Sequence, residues 1–278
     1  MQVRKPAVAG MFYPADRESL LSLLKDSFLH TFGPRRLPPL KEGNKFIAMV
    51  VPHAGYIYSG SIAAHAYYYA SALKPELIIL VGPNHYAIGS AVASARDTVF
   101  ETPLGSIEVD NDSLDQCIKI SGIIDIDLYA HTKEHSLEVQ LPMLQFIYTH
   151  KFKILPIILW MQDKYTAIDV GNAIAEVSKG KNVLLIASSD FTHYEPNEIA
   201  YKKDKELINT ILELDINHFY TVLERYNVTA CGYGAIASII HASLILNASN
   251  VKLLKYATSG DITNNKDSVV GYASMIIS

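Results

Sequence analysis

Apolar and polar positions divide the chain into two kinds of segment. Phe46–Val51, Glu76–Val81, Phe152–Leu159 and Val183–Ala187 are short and apolar at nearly every residue. Runs of that kind predict strands covered on both faces, as in a parallel sheet. Longer stretches carry an apolar stripe or a dense apolar run. Glu18–Phe32 places Leu20, Leu21, Leu24 and Phe28 on one face behind Asp16 as a cap; Ser61–Leu73 follows Ser59 as a cap; Ser113–Ile120, Ser136–His150, Tyr165–Lys179 and Ala235–Asn247 complete the set of helices. Alternation of the two kinds predicts an α/β sandwich, a mostly parallel central sheet flanked by helices. Residues 1–15 read as a loop-like opening, and Gly33–Asn44 as a Pro-, Gly- and charge-rich connection. No second break of composition follows, so residues 1–278 are read as a single domain. Ala91–Ser94, Val99–Thr102 and Ser106–Val109 read as a short antiparallel insertion around Pro103-Leu104-Gly105, and Val251–Thr258 with Ser268–Ile277 as a hairpin-like pair closing a sheet edge.

Three of the predicted strands end near a histidine. Phe46–Val51 leads to His53, Glu76–Val81 to His85 through Gly82-Pro83-Asn84, and Val183–Ala187 to Asp190 and His193 through Ser188-Ser189. A histidine after a strand is either a functional group or an ordinary turn residue. Parallel strands put their carboxyl ends on one edge, where ligands bind in open α/β sheets. The three ends together therefore predict one crevice shared by His53, His85, Asp190 and His193, with Asp190 and His193 three apart at a helix entrance.

Cys231 precedes the helix at Ala235–Asn247, where a thiol gains acidity as a ligand or nucleophile; its other reading is a small buried hydrophobe. Cys117 lies among apolar neighbours and reads as core. Imidazoles with a thiolate suit iron(II), copper or zinc, and a further histidine nearby suits acid–base work. Other patterns have a poorer context. Gly232-Tyr233-Gly234-Ala235-Ile236-Ala237 matches a dinucleotide fingerprint, but no long strand precedes it. His131-Thr132-Lys133-Glu134-His135 matches a zinc-peptidase pattern that needs both histidines on one helix, whereas Thr132 reads as an N-cap. No Walker A sequence occurs, so no nucleotide cofactor is expected.

Bulk properties narrow the classes. Hydrophobic residues make up 49% and charged residues 19% of 278, enough for a sizeable core. Net charge is −4 with no like-charged block, which argues against a nucleic-acid partner. Two cysteines exclude a disulfide framework, and neither a signal peptide nor a membrane-length apolar run is seen; a cytoplasmic setting is expected.

Pro52-His53-Ala54-Gly55-Tyr56, Gly82-Pro83-Asn84-His85, Glu134-His135-Ser136-Leu137-Glu138, Ser188-Ser189-Asp190-Phe191-Thr192-His193 and Ala230-Cys231-Gly232, with Ala9-Gly10-Met11-Phe12-Tyr13 at the start, resemble the Memo family over essentially the whole chain. The resemblance implies a fold like that of the class III extradiol dioxygenases. It implies His53, His85 and Cys231 as ligands of iron(II), with copper as second choice and zinc as third. His193 would be the acid/base, Asp190 would orient or polarise it, and His135 would stand behind the ligands. Cys231 takes the place of the dioxygenases' carboxylate, which puts ring cleavage in doubt and leaves a redox role on an unknown small molecule or peptide. The family also implies a functional link to radical-SAM and AMMECR-like proteins. Two competing readings are a non-catalytic peptide- or protein-binding module and a zinc hydrolase.

Overall fold

The computed structural model describes residues 1–39 and 46–278. In chain order the elements are β1 (Gln2–Arg4), α1 (Arg17–Leu29), β2 (Ala48–Val51), α2 (Tyr56–Ala70), β3 (Leu77–Pro83), β4 (Val92–Ser94), β5 (Thr98–Thr102), β6 (Gly105–Glu108), α3 (Asn111–Ile120), β7 (Asp125–Ile126), α4 (Leu128–His131) and α5 (Gln140–Ile147). They continue with β8 (Lys153–Leu159), α6 (Lys164–Ser178), β9 (Val183–Ser188), β10 (His193–Glu195), α7 (Asn197–Leu212), α8 (Ile216–Arg225), α9 (Tyr233–Ile245), β11 (Val251–Thr258), α10 (Ser259–Thr263) and β12 (Val269–Ile277). Of the expected Gly33–Asn44 connection, residues 40–44 lie outside the described residues.

The main sheet has the order β10-β12-β2-β9-β3-β8-β4-β7, with β11 added on β12. Its centre, β2-β9-β3-β8, is parallel. Antiparallel pairing begins at the flanks, β12 on β2 and β4 on β8. The apolar runs read as strands are these four central strands. Their side chains divide by twos between two cores. Leu185 and Ala187 of β9 join α6 and α9 on one face, and Leu184 and Ile186 join α1, α2 and α5 on the other. No helix among the described residues is long and apolar enough to cross a membrane.

Several local expectations change. Residues 2–4 are not loop but strand, parallel to β5 in a separate three-stranded sheet with β6. Val92–Ser94 is fully buried and leaves the insertion for the main sheet, so only β5 and β6 form the predicted hairpin. β11 and β12 do pair antiparallel, but β12 lies between β11 and β2 rather than at the edge, and α10 fills the turn behind a Thr258–Asp261 capping box. α2 begins five residues earlier than expected, at Tyr56; Gly55 is its N-cap, and Ser59 lies inside, its hydroxyl donating to the Ala54 carbonyl. α5 begins later, at Gln140. Ahead of it the Glu134 carboxylate accepts from the His135 and Ser136 N–H groups, and such local bonds compete with helix formation.

Candidate metal centre

β2, β9 and β3 are neighbours in the sheet. Each projects a site residue two positions beyond its end: His53, Asp190 and His85. Of the four residues expected to share a crevice, His53, Asp190 and His85 are brought together at these strand ends. The His53 N–H donates to the Asp190 carboxylate at 2.8 Å, which ties the first two strand ends together. His53 and His85 meet edge to face with ring centroids 5.1 Å apart and planes at 81°.

His135 completes the cluster, which was read as a place behind it. One nitrogen from each of His53, His85 and His135 lies within 4.8 Å of the others. The His135 ring stacks on His85 at 4.6 Å and 15°, and meets the Phe12 ring edge to face at 4.7 Å. Its Nδ1 is buried without a hydrogen-bond partner among the described residues. Cys231 arrives from the N-terminal end of α9, with Sγ 3.2 Å from His53 Nε2. The Asp190 N–H donates to Sγ at 3.2 Å. The turn approaches so closely that a Cβ on Gly232 would lie 2.4 Å from the Ser188 carbonyl oxygen.

The hydrogen bonds settle which imidazole nitrogens are free. The Ser188 hydroxyl gives its proton to the Ser136 carbonyl at 2.7 Å. It must therefore accept from His53 Nδ1 at 2.8 Å, leaving Nε2 as a lone pair toward Cys231. His85 Nδ1 faces the Glu134 carboxylate at 2.9 Å and His193 Nδ1 the Thr229 carbonyl at 2.9 Å, so both also carry their proton on Nδ1. Three imidazoles thus hold the same tautomer, each with Nε2 free. Orientation through the remote nitrogen is the arrangement of metal-binding histidines.

Charge supports the same reading. Burial pushes His53 well below the usual imidazole range, reinforced by His85, His135 and His193, and burial brings His135 down to about 4. Both are neutral donors at physiological pH. Burial alone would raise the Glu134 carboxyl. Its hydrogen bond from His85, the pull of the His85 and His135 rings when they are protonated, and the Ser136 N–H outweigh that and hold it at about 2. Burial and the nearby Asp190 carboxylate push the Cys231 thiol well up. An ion binding there must displace the thiol proton.

Other expected placements differ. Neither Asp190 nor His193 stands at a helix entrance: Asp190 lies between β9 and the short strand β10, and His193 is the first residue of β10. His193 bonds to Thr229, through its N–H and its ring, rather than to Asp190. Thr132 is the C-cap of α4, not an N-cap; His131 ends that helix, is buried and bonds to Ala93. The peptidase pattern therefore does not share one helix. Gly232–Ala237 is entered from a loop after α8, not from a strand. Cys117 is fully buried in the core. Glu134 and Ser188 were not singled out by sequence reasoning. In sequence Glu134 showed only as the acidic position of the His131–His135 pattern and as the start of the Glu134–Glu138 motif.

A family model described as Memo-like protein matches residues 4–276. A MEMO1 family protein of Nitrosopumilus maritimus is 47% identical over 273 residues, covering 98% of each chain. One of Methanopyrus kandleri is 46% identical over 277 residues, again covering 98% of each. Among solved structures, an uncharacterized protein of Escherichia coli K12 superposes with a TM-score of 0.56 at 11% identity, over 84% of this chain and 100% of that one. That likeness concerns the fold alone.

Proposed function

The chain belongs to the Memo family, and on that premise we propose that it is a redox-type metal protein whose crevice binds iron(II), or copper, through His53, His85 and Cys231. The observation that carries the proposal is the shared tautomer: His53 and His85 each spend Nδ1 on a fixed acceptor and keep Nε2 free in the crevice. Their planes, at 81°, allow in-plane lone pairs to converge on one ion. His135 stacks on His85 at 15° and meets His53 at 83°, so it offers a third imidazole, whereas Cys231 adds the anion that three imidazoles lack. Cys231 beside His53 is therefore preferred as the third, anionic donor, and His135 is left facing the open positions. Two imidazoles and one anion with positions open is the pattern of non-haem iron sites.

When bound, the metal supplies one-electron chemistry and polarises a coordinated oxygen donor. The chain supplies the rest. Glu134 and Ser188 hold the two ligand rings. Asp190 fixes the backbone of His53 and donates its own N–H to the Cys231 sulfur. His193 Nε2, opposite the nitrogen held by Thr229, takes or gives a proton at a bound molecule. Two free cysteines fit a reducing, cytoplasmic setting, and the substrate is a small molecule or peptide that reaches His193.

The test is elemental analysis of protein loaded with iron(II) under anaerobic conditions. About one equivalent of metal is expected in the wild type, with loss in His53→Ala and in Cys231→Ser. Full retention in both variants overturns the proposal. Retention in Cys231→Ser with loss in His135→Ala moves the ligand set to the three histidines. Tight binding of zinc alone favours hydrolytic over redox chemistry.

A further inference from the structure

Tyr194 adopts φ 59, in the left-handed region, although it is aromatic and exposed. A bulky side chain holds that conformation only where the surroundings over-determine it. It sits between His193 and Glu195, both paired with β12 across a shift of register. Its neighbours in the chain are gripped from one helix by two consecutive residues. Lys203 of α7 binds the Glu195 carboxylate and donates to the Asn227 carbonyl at 3.2 Å. Asp204 of α7 accepts from the Thr192 N–H at 3.0 Å and from the Thr192 hydroxyl at 2.6 Å. The grip therefore falls on the residue before His193 and the residue two after it.

Asp204 is fully buried. Its other oxygen accepts from the Tyr256 hydroxyl of β11 at 2.6 Å. The strand beside it makes room: a Cβ on Gly271 would lie 2.0 Å from Asp204 Oδ2, and the Gly271 N–H donates to the Thr192 carbonyl at 2.9 Å. Taking a carboxylate out of water is costly unless its bonds are complete. Here two of these three hydrogen bonds fall on the residue next to His193. A tie serving only to attach α7 to the sheet needs neither the bond to the Thr192 backbone nor a left-handed tyrosine two residues on.

We propose that the Lys203–Asp204 pair of α7 is the positioning device of His193, with Asp204 the positioning residue that sets where the imidazole presents Nε2 to the crevice. This rests on His193 being the proton carrier of the proposed site. Asp204 does not touch the ligand residues, so it acts on His193 while leaving the metal donors in place.

The experiment follows histidine ring nitrogens by NMR in metal-free protein labelled at histidine, with metal content measured separately. In Asp204→Ala the His193 ring signals are expected to move or broaden, with both tautomers present, while those of His53 and His85 and the metal content stay as in the wild type. Asp204→Asn keeps an oxygen for Thr192 and is expected to restore the His193 pattern. Unchanged His193 signals in a folded Asp204→Ala protein overturn the proposal, as do equal changes at all the crevice histidines. If Asp204→Ala does not fold, Thr192→Val removes one of the same bonds and is expected to give the same selective change; its absence overturns the proposal equally. Because the ring signals are read without metal, failure to bind metal would refute the proposed site without imitating failure of the grip.

Discussion

Replacement of Glu134 by glutamine tests how the crevice is held in register. The carboxylate accepts four N–H groups: His85 Nδ1 at 2.9 Å, His85 N at 2.6 Å, His135 N at 2.8 Å and Ser136 N at 2.7 Å. Oε1 serves three of them and Oε2 the fourth. In Glu134→Gln the amide oxygen can keep the three, but the amide nitrogen then faces the His85 N–H, donor against donor. The negative charge opposite His85 is lost as well. The carboxyl is held at about 2 against an ordinary value of 4.5, a difference worth roughly 3 kcal/mol to the folded state. That contribution is present above pH 4.5 and is lost as the pH falls toward 2. For metal binding, loss of the partner on the remote nitrogen of a ligand imidazole typically costs about 10–100-fold, or roughly 1.4–2.7 kcal/mol. Anaerobic competition titration against a coloured chelator measures the affinity, and urea unfolding the stability. Weakening within that range is expected, with His53 Nδ1 still bonded to Ser188. An affinity within about twofold of the wild type would refute the argument that Glu134 orients His85.

The Cys231 proton sets the pH dependence of binding. With the thiol pushed well up, apparent metal affinity should rise roughly tenfold per pH unit between about pH 7 and 8.5. Cys231→Ser should flatten that slope, and equal slopes would count against a thiolate ligand. Asp204 acts on stability in the opposite sense to Glu134. Burial raises its carboxyl from 3.8 to about 6 despite bonds from Thr192 and Tyr256. Its favourable share is complete below about pH 4 and is lost as the pH rises through 6, roughly 3 kcal/mol in all. Urea unfolding of Asp204→Asn should lack that decline, and an unchanged pH profile would contradict it. Glu138 accepts from Arg4, the Ala7 and Val8 N–H groups and the Tyr13 hydroxyl. Glu138→Ala leaves the Arg4 charge buried and should cost roughly 3–5 kcal/mol in unfolding experiments; a cost below about 1 kcal/mol would show that the N-terminal segment is held by other contacts.

The central strands were legible because burial on both faces leaves little room for polar residues: β3 and β9 are buried at every position. That was enough to place the strand ends, and with them His53, His85 and Asp190. Shorter elements carried no such signal. β1 has three residues with two exposed, and β10 is defined by the strained turn at Tyr194. The start of α5 was missed because a propensity reading cannot see the Glu134 carboxylate capturing local N–H groups. The same blindness hid the supporting residues of the crevice. Ser188, Thr229 and Glu134 are ordinary polar residues in sequence, and their importance comes from bonds spanning 135, 36 and 49 positions. His135 was placed behind the ligands because its neighbours gave no measure of depth, whereas the fold stacks it on His85.

The proposed site would hold one metal ion between His53, His85 and Cys231. X-ray absorption at the iron edge of protein loaded with iron(II) under anaerobic conditions tests it most directly, with Cys231→Ser as the control. Imidazole nitrogens and a single sulfur are expected around the iron, with the sulfur contribution absent in the variant. A spectrum free of sulfur in the wild type, or one unchanged by the substitution, would contradict the proposed site.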